Sequence, residues 1–341
     1  MKKINIGLVC GGQSTEHEVS LLSATNILNS ISKKKFNVIP IGIEKDGSWN
    51  IYKENDFIID SHNAKKIHLS KNKTSFNFIF GKQTNPRIDV LFPVMHGKFG
   101  EDGTVQGFAK LLNIPCVGND ILGSAVGMDK DVSKRLLHNA QIQIADYFVF
   151  HIHERKEISF EKISRKVNLP FFVKPSQSGS SVGVHKIKNK KDFLFAVNDA
   201  FKHDNKILIE KMLVGREIEC AILGNENPIA SLPGEIISKK DFYSYSAKYL
   251  DENGAELHAP ASLSSSEIKS IQQTAIKVFK VLECRGLARV DGFLTSEGKF
   301  IINEINTMPG FTKISMYPKL WEVSGINQTK LIEILIALAI E

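Results

Sequence analysis

Residues 288–307 read Ala-Arg-Val-Asp-Gly-Phe-Leu-Thr-Ser-Glu-Gly-Lys-Phe-Ile-Ile-Asn-Glu-Ile-Asn-Thr. Two mostly apolar segments flank the turn sequence Ser-Glu-Gly-Lys, and this pattern predicts a β-hairpin closed by a four-residue loop. If residues 295 and 300 close the loop, Asp291 lies opposite Glu304, and Arg289 lies opposite Asn306. Because residues two apart in a strand share a face, these four polar side chains are expected to cluster at the open end of the hairpin.

The two facing acids indicate what this cluster binds. Facing carboxylates repel each other unless a cation or a shared proton lies between them. Asn306 adds an amide oxygen, and carboxylate and amide oxygens are the hard ligands that Mg²⁺ prefers, with positions left open for phosphate. The alternative is a surface pair of acids bridged by Arg289. Asn306 and the turn at residues 308–310 favour the metal, provided that the register is right, because a slip of one residue separates the cluster.

Composition limits the class of protein. The 341 residues, 42% hydrophobic and 24% charged, are typical of a globular protein with two or three domains. The sequence has no run of about 18 apolar residues, so no membrane-spanning helix is expected. The apolar start runs into Gly11-Gly12 without a cleavage pattern and predicts a first strand rather than a signal peptide. Four widely spaced cysteines fit a reducing compartment, and we expect a cytoplasmic protein.

The net charge of +7 raises the question of nucleic acid binding. Most of the basic residues are lysines, which are scattered and not interleaved with aromatic residues as in a stacking platform. Arginine is the better residue for base edges and for bidentate phosphate contacts. A lysine-rich solvated surface is therefore the favoured interpretation, and neither a nucleic acid nor a membrane is expected as a partner.

The order of predicted elements suggests three domains. Strands at 4–9, 36–43 and 89–94 alternate with helices at 19–31 and 104–112, which predicts a mostly parallel sheet with ligand-binding loops at its carboxyl edge. The predicted domains are residues 1–119, 120–210 and 211–341. In the second domain we expect strands at 170–174 and 182–188. Residues 233–260 lack clear periodicity and carry four aromatic residues, so we expect a mobile loop that closes as a lid.

Two further motifs suggest a nucleotide site. Lys174 precedes a loop rich in glycine and serine, at 176–184, whose N–H groups could fold over phosphates, although its spacing is not that of a Walker loop. Glu210 and Glu217 flank a turn after an apolar strand, where carboxylates could accept from ribose hydroxyls. Alone, each motif fits a common hairpin or an exposed strand end. Beside a carboxylate metal site they are interpreted as the rest of a nucleotide site.

Taken together, these motifs resemble the D-alanine–D-alanine ligases, within the ATP-grasp group of carboxylate–amine ligases. The resemblance covers essentially the whole chain. It includes Gly-Gly-Gln-Ser-Thr-Glu-His-Glu at residues 11–18, His-Gly-Lys-Phe-Gly-Glu-Asp-Gly-Thr at 96–104, Met-Asp-Lys at 128–130, and Asn-Glu-Ile-Asn-Thr-Met-Pro-Gly-Phe-Thr at 303–312. It implies an α/β chain with α+β domains, in which an ATP-grasp fold follows an N-terminal parallel-sheet domain that is Rossmann-like.

The resemblance implies a role for each of these residues. The ligands of two Mg²⁺ or Mn²⁺ ions are Asp291, Glu304 and Asn306. The ATP-binding residues are Lys130, Lys174 and Ser181 for the phosphates, and Glu210, Lys211, Leu213 and Glu217 for adenosine. A hydrogen-bonded catalytic triad is formed by Glu16, Ser180 and Tyr249. The oxyanion of the second step is stabilised by Arg289 and the Gly310 N–H. Lys248 and the catalytic residue Ser315, with the Met316 backbone, face the γ-phosphate or the carboxylate of the second substrate, and His96 contacts the first subsite.

The resemblance also implies the reaction. The carboxylate of one D-alanine attacks the γ-phosphate of ATP, and the amine of a second D-alanine attacks the resulting acyl phosphate, which supplies a peptidoglycan precursor. A homodimer is expected from the family. Three alternatives remain: another ATP-grasp or depsipeptide ligase, a nucleotide-binding regulatory protein without turnover, and a basic nucleic-acid binder. The sequence Ser-Ala-Lys-Tyr-Leu around Tyr249 favours an amine acceptor, and the oxyanion donors favour an enzyme over a binding protein.

Overall fold

The computed structural model of the chain describes residues 3–55, 57–59, 66–76, 86–238 and 255–341. In these residues the strands are, in chain order, β1 Ile4–Gly11, β2 Phe36–Ile43, β3 Trp49–Tyr52, β4 Ile58–Ile59, β5 His68–Leu69, β6 Lys73–Ser75, β7 Val90–Pro93, β8 Tyr147–His151, β9 Phe171–Pro175, β10 His185–Ile187, β11 Lys206–Lys211, β12 Arg216–Gly224, β13 Ile229–Ala230, β14 Gly234–Ser238, β15 Ala255–His258, β16 Gly286–Leu294 and β17 Phe300–Asn306. The α-helices are α1 His17–Ser30, α2 Thr104–Leu111, α3 Ile121–Met128, α4 Lys130–Asn139, α5 Phe160–Val167, α6 Lys190–His203, α7 Ser265–Val281, α8 Met316–Val323 and α9 Gln328–Ile340.

The N-terminal sheet has the strand order β6-β3-β2-β1-β7. Its inner strand β1 is an almost continuous apolar run because β2 and β7 flank it on both sides, each in parallel. Gly11 ends β1 with a positive φ of 87°, and an added Cβ there would lie 2.3 Å from the Ile43 carbonyl oxygen. The turn after β1 therefore needs glycine, and it directs the chain to Glu16 at the carboxyl edge of the sheet.

The central sheet is antiparallel, with the order β10-β9-β11-β8. One face is covered by α5 and α6, and the alternate residues Ile207 and Ile209 of β11 are buried there. The opposite face therefore carries Leu208 and Glu210 of β11, and Leu208 is the register partner of Lys174 in β9. This alternation directs charged side chains toward the C-terminal sheet.

In the C-terminal sheet, too, apolar and polar residues alternate between the two faces. Its order is β15-β14-β12-β16-β17, with β13 paired to β12. Ile218 and Cys220 of β12 are buried against helix α7, together with Val290 of β16. Glu219 lies between Ile218 and Cys220 on β12, and Asp291 follows Val290 on β16. These two acids face away from that core and are register partners. The polar faces of the central and C-terminal sheets enclose the site described below.

A shared hydrophobic core joins the first and last parts of the chain. Side chains of β1 and α1 pack with those of α8 and α9. The Phe92 and Phe311 rings meet edge to face at 6.3 Å between centroids. The Asn26 side-chain amide donates to the Phe311 carbonyl at 2.7 Å. These contacts hold the loop that follows β17 against α1, and that loop contributes to the site.

The alternation of strands and helices was predicted, but two boundaries were wrong. The strand expected at 182–188 is only His185–Ile187, because residues 182–184 form hydrogen-bonded turns, with the Val182 N–H donating to the Gly179 carbonyl. The loop expected over 233–260 contains two paired strands, β14 and β15. These strands are too short to show periodicity in the sequence. The part of the expected lid at 239–254 lies outside the described residues.

No single helix of the described part of the chain is long and apolar enough to cross a membrane. By length and composition only, the bent pair α8 and α9 could do so together, with 105° between the two helices. Both helices bury apolar side chains in the core, among them Trp321 and Leu335.

Candidate active site

Two adjoining cavities contain every predicted site residue that the structure describes. The first cavity is lined, among others, by Glu16, His96, Ser180, Arg289, Glu304, Asn306, Gly310, Ser315 and Met316. The second is lined, among others, by Lys174, Ser181, Glu210, Lys211, Leu213, Glu217, Asp291 and Glu304. Both cavities are bordered by Lys130, Gly179, Ser180, Glu219 and Glu304. The predicted substrate residues and the predicted nucleotide residues therefore meet at a common wall. Lys248 and Tyr249 lie outside the described residues.

The hairpin β16–β17 has the predicted register at its open end. Asp291 pairs with Glu304, and Arg289 pairs with Asn306. Nearer the turn the predicted pairing was wrong by one residue, because Leu294 rather than Thr295 pairs with Phe300. The difference is a β-bulge between Asp291 and Gly292 that leaves Asn303 as the extra residue of β17.

The bulge brings an unpredicted residue into the site. Asn303 lines the second cavity together with Glu304. Its Oδ1 lies 3.5 Å from the Lys174 ammonium. Bulges redirect side chains in this way beside active sites. The flanking sequence contains no signal for this bulge other than the single glycine, Gly292.

Arg289 holds Asp291 in a bidentate ion pair. Its Nε and Nη2 donate to the two Asp291 oxygens at 2.7 Å each, and its Nε lies 3.0 Å from Glu219. The alternative raised from the sequence had Arg289 bridging Asp291 and Glu304; the structure shows Arg289 bridging Asp291 and Glu219. Glu219 was not predicted, because its position beside Asp291 depends on the pairing of β12 with β16.

A buried triad of charges underlies the second cavity. Glu210 forms ion pairs with both Lys134 and Lys174, and the three side chains are almost completely buried. Burial by itself would raise the pKa of Glu210, but the two ammonium groups outweigh it and lower that pKa. Burial is also the main cause of the lowered pKa of Lys134. Lys134 was missed, since a lysine on an amphipathic helix is usually solvated.

The glycine- and serine-rich loop connects the two cavities. Ser180 and Ser181 both have positive φ values, 49° and 62°, which are strained for residues with a Cβ. The Ser180 hydroxyl donates to the Glu16 carboxylate. The Lys130 ammonium donates to the Ser178 carbonyl at 2.8 Å and lies 3.4 Å from Glu304. The loop is thus tied to Glu16 on one side and to Lys130 on the other.

His96 lies at the base of the first cavity with both ring nitrogens engaged. Its Nδ1 lies 3.1 Å from the Met308 carbonyl, which can only accept, so Nδ1 carries the proton. Burial lowers the pKa of His96, so the ring is neutral and Nε2 accepts from the Ser23 hydroxyl, 3.0 Å away. The same hydroxyl accepts the Phe311 N–H at 3.2 Å. His96 therefore fixes the loop after β17 and offers only a carbon edge to a ligand.

The opposite end of the first cavity is a polar turn. The Asn306 side-chain oxygen accepts the Met308 N–H at 3.0 Å. The Ser315 hydroxyl lies 2.8 Å from that of Thr312 and accepts the Thr312 N–H at 3.0 Å. A Cβ at Gly310 would meet the Ser315 oxygen at 2.8 Å. Glycine there leaves room for a ligand to approach the backbone.

Glu101 is a second acid in the first cavity that was not assigned a role. Burial, and then the charge of Glu16, raise the pKa of Glu101 to about 8. Its N–H donates to the Gly97 carbonyl at 2.9 Å. At neutral pH Glu101 is therefore mostly protonated, while Glu16 is the acid that binds Ser180. The sequence shows the acidic residue but not its burial.

Together, the antiparallel central sheet, the C-terminal sheet and the lysine-lined cavity that both of them border define the class as an ATP-grasp ligase. Two sequence models cover most of the chain: that of the D-ala D-ala ligase N-terminus matches residues 5–119 and that of the D-ala D-ala ligase C-terminus matches 136–337. The chain belongs to the D-alanine–D-alanine ligase family, which confirms the predicted family and fold.

Individual relatives align with this chain over almost their full length. The D-alanine–D-alanine ligase of Oceanobacillus iheyensis is 49% identical, with 100% of this chain and 96% of the relative covered. The solved structure of the D-alanine–D-alanine ligase of Coxiella burnetii has a TM-score of 0.88 at 38% identity, covering 100% and 94%. The ATP complex of the Bacillus anthracis enzyme has a TM-score of 0.76 at 26% identity, covering 99% and 97%.

Proposed function

We propose that this chain joins two D-alanine molecules to D-alanyl-D-alanine at the expense of ATP, through a D-alanyl phosphate, as a step in peptidoglycan precursor synthesis. The observation that carries this proposal is the wall shared by the two cavities, which contains Lys130, Ser180 and Glu304. A substrate carboxylate in the first cavity can there meet the terminal phosphate of a nucleotide in the second.

The first D-alanine binds beside Glu16. This carboxylate is mostly buried, and Ser180 holds it in place, so it is positioned to receive the substrate ammonium group. Its orientation also depends on Gly97, where a Cβ would lie 2.7 Å from a Glu16 oxygen. Tyr249 is proposed as the third member of this triad from the family resemblance alone.

ATP binds in the second cavity. Its phosphates meet Lys130, Lys174 and the backbone of the loop that contains Ser181. Adenosine lies against β11 and the turn after it, at Lys211, Leu213 and Glu217. Glu210 was expected to contact adenosine directly, but both of its carboxylate oxygens are bound by lysines. We therefore propose that Glu210 orients Lys174, and that its backbone faces the base.

Two Mg²⁺ or Mn²⁺ ions are proposed at Asp291, Glu304 and Asn306. The described residues contain no group of three His, Cys, Asp or Glu side chains arranged to hold a metal. The proposed ligand set is not of that kind, because its third member is an amide. Its two carboxylates and one amide come from facing strands at the cavity wall. These hard oxygen donors fit such ions. The ions would neutralise charge on the phosphates and on the transferring phosphoryl group.

In the first step the D-alanine carboxylate oxygen attacks the γ-phosphorus, and the bond from that phosphorus to the oxygen bridging to ADP breaks. Catalysis of such a transfer depends mainly on positioning and on neutralising charge. Lys130 and Lys174 provide fixed positive charge, since both ammonium groups are held by buried or cavity-wall partners. Glu16 keeps the attacking D-alanine in place.

In the second step the amine of another D-alanine attacks the acyl carbon, loses a proton, and displaces phosphate. A negative charge develops on the acyl oxygen. Arg289 and the Gly310 N–H border the cavity where that charge forms, and one such donor is typically worth about 3 kcal/mol. Ser315 and the backbone of Met316, at the start of α8, are proposed to hold the acceptor carboxylate. Lys248 is proposed as a further contact on the lid.

Several broader predictions remain proposals. The domain boundaries at 119/120 and 210/211, a cytoplasmic location and a homodimer follow from the sequence and the family resemblance. The choice of an amine acceptor over D-lactate rests on Tyr249. If the segment at residues 233–260 closes over the site as a lid, it would protect the acyl phosphate from water.

The proposed function is tested by incubating the chain with Mg-ATP and D-alanine, measuring ADP release and identifying the product by mass spectrometry. The expected product is D-alanyl-D-alanine, with one ADP released for each dipeptide. Adding D-lactate should produce no D-alanyl-D-lactate. ATP consumption only with other carboxylate and amine substrates would contradict the proposal, as would ATP binding without turnover.

A further inference from the structure

Asp129 occupies the junction between helix α4 and the loop at 176–184. It caps the helix, because its Oδ1 accepts the N–H groups of Asp131 and Val132 at 3.1 Å each. It is only 7% exposed. An ionised carboxylate has two oxygens that can each accept more than one hydrogen bond, so the cap leaves room for further partners.

The same carboxylate binds two side chains at the start of that loop. The Ser176 hydroxyl donates to Oδ1 at 2.8 Å, and the Gln177 amide donates to Oδ2 at 3.0 Å. The next residue on the helix, Lys130, donates its backbone N–H to the Ser176 carbonyl at 3.1 Å. Asp129 therefore fastens the first turn of α4 to the loop through both side-chain and backbone contacts.

A lysine on a third element neutralises this junction. The Lys206 ammonium, at the start of β11, lies 2.7 Å from Asp129 and 3.1 Å from Asp131. The Ser176 N–H also donates to the Lys206 carbonyl at 2.9 Å. The loop, α4 and β11 thus converge on one carboxylate, and the phosphate lysine Lys130 directly follows that carboxylate in sequence.

We propose that Asp129 is a positioning residue for the ATP phosphates, which fixes the Lys130 side chain and the loop at 176–184 relative to each other. This inference rests on the proposed function, because it assumes that those groups bind phosphate. The Lys130 ammonium also donates to the Ser178 carbonyl of the loop, so a shift of either element changes the spacing of the donors. Asp129 itself lines neither cavity, so it is proposed to act through Lys130 and the loop.

The charge of Asp129 supports this role. Burial would raise the pKa of Asp129, but Lys206, Gln177 and the helix N–H groups outweigh burial and lower it to about 2. The carboxylate is therefore ionised at any pH at which the protein is assayed. Replacement by asparagine keeps the shape and one accepting oxygen. It loses the ion pair with Lys206 and presents an NH₂ group to one of the former donors.

The test measures Mg-ATP affinity directly, by calorimetry without D-alanine, and then KM for ATP and for D-alanine. We expect Asp129→Asn to weaken ATP binding about tenfold or more, as small displacements of positioning groups do, and to raise KM for the first D-alanine by a smaller factor, because Ser180 of the same loop holds Glu16. Asn189→Ala is the matched control, because it removes an N-cap from α6, where Asn189 Oδ1 accepts two N–H groups away from the loop.

The outcomes separate positioning from stability. Asn189→Ala should lower the melting temperature as the loss of a cap does, with ATP affinity unchanged. If Asp129→Asn fails to fold, Gln177→Leu removes one contact to the loop and leaves the cap intact, and it should still weaken ATP binding severalfold. ATP affinity within about twofold of wild type in the folded Asp129→Asn variant, or in Gln177→Leu if that variant is needed, overturns the inference. A wild-type chain that binds ATP but makes no dipeptide contradicts the proposed function instead, and leaves the affinity comparison valid.

Discussion

Asp291 lies directly opposite Glu304 across the β16–β17 ladder, one position before a bulge adds Asn303 to the second strand. The two acids would repel each other without compensating positive charge. Arg289 provides it for Asp291, and Lys130 lies 3.4 Å from Glu304. The pair is thus arranged between two cations on the protein, at the wall where the phosphates are proposed to bind.

The first prediction concerns Glu304. Glu304→Gln should reduce ADP formation by about a hundredfold or more, because it removes a carboxylate from the proposed metal site beside the transferring phosphoryl group. The fold should be retained, since the amide has the same shape. The control is Glu297→Gln in the exposed turn of the same hairpin, which should leave activity unchanged. Near-normal turnover of Glu304→Gln would contradict the metal assignment.

The hairpin also shows how far the sequence could predict the site. The pairing next to the turn was wrong by one residue, and the bulge offsets this difference, so the predicted register at the open end was confirmed. A bulge is set by the packing of neighbouring strands and not by the local pattern. Asn303 therefore could not be placed in the site from sequence alone.

The second prediction uses the contact between Glu16 and Ser180, which joins residues 164 apart in the chain. Ser180→Ala and Glu16→Gln should each raise KM for the first D-alanine, because each disturbs the carboxylate that is proposed to bind its ammonium. The effects should be less than additive, with a coupling energy of about 1 kcal/mol in a double-mutant cycle. The matched control is Ser266→Ala on exposed α7. Fully additive effects would show that the two residues do not act together.

The third prediction concerns Lys134. With both lysines charged, the triad around Glu210 has one excess positive charge, which Lys134→Met removes. Glu210 then fully neutralises Lys174, so KM for ATP should rise about tenfold, equivalent to ~1.4 kcal/mol. The free energy of unfolding should fall by about 3 kcal/mol, because a buried ion pair is broken.

The control for Lys134 is Lys277→Met, which removes an exposed lysine bound to the Ala140 carbonyl. Both KM for ATP and stability should change little in this variant. A loss of stability in Lys134→Met without any change in KM for ATP would assign Lys134 a structural role only. Kinetics over a range of ATP concentrations and urea unfolding give the two readouts.

The fourth prediction is a pH dependence of stability from His96. Burial lowers the pKa of His96 in the folded protein, so the unfolded chain binds more protons once the pH falls below about 6.5. The contribution of His96 to the free energy of unfolding is therefore fully present above pH 6.5 and is lost as the pH falls toward the pKa of His96 in the folded protein. Between pH 7.5 and 5.5 the free energy of unfolding should fall by up to about 1 kcal/mol more in wild type than in His96→Gln.

The measurement for His96 is urea unfolding at the two pH values, with His68→Gln as the control because His68 is exposed on β5. His68→Gln should keep the pH dependence of wild type. Equal pH dependence in wild type and His96→Gln would show that His96 is not held neutral by the fold.

The burial of charged residues such as Lys134, Glu219 and Asp129 could not be predicted from the sequence. Each is a charged residue whose burial depends on contacts between elements far apart in the chain, as in the pairing of Lys134 with Glu210. The local sequence pattern assigns such charged residues to solvent. By contrast, Glu304 was predicted from the hairpin register, Lys174 from the loop that follows it, and Lys130 from a motif that resembles those of a known family, and the structure brings all three to the cavities.

The most direct test of the central claim follows oxygen atoms. D-Alanine labelled with ¹⁸O in both carboxylate oxygens is incubated with the enzyme and Mg-ATP, and the released phosphate is analysed by mass spectrometry. If the carboxylate attacks the γ-phosphorus and the amine then displaces phosphate, each phosphate carries one ¹⁸O from D-alanine and the dipeptide retains the other at its new amide. Unlabelled phosphate, formed together with D-alanyl-D-alanine, would contradict the acyl phosphate route.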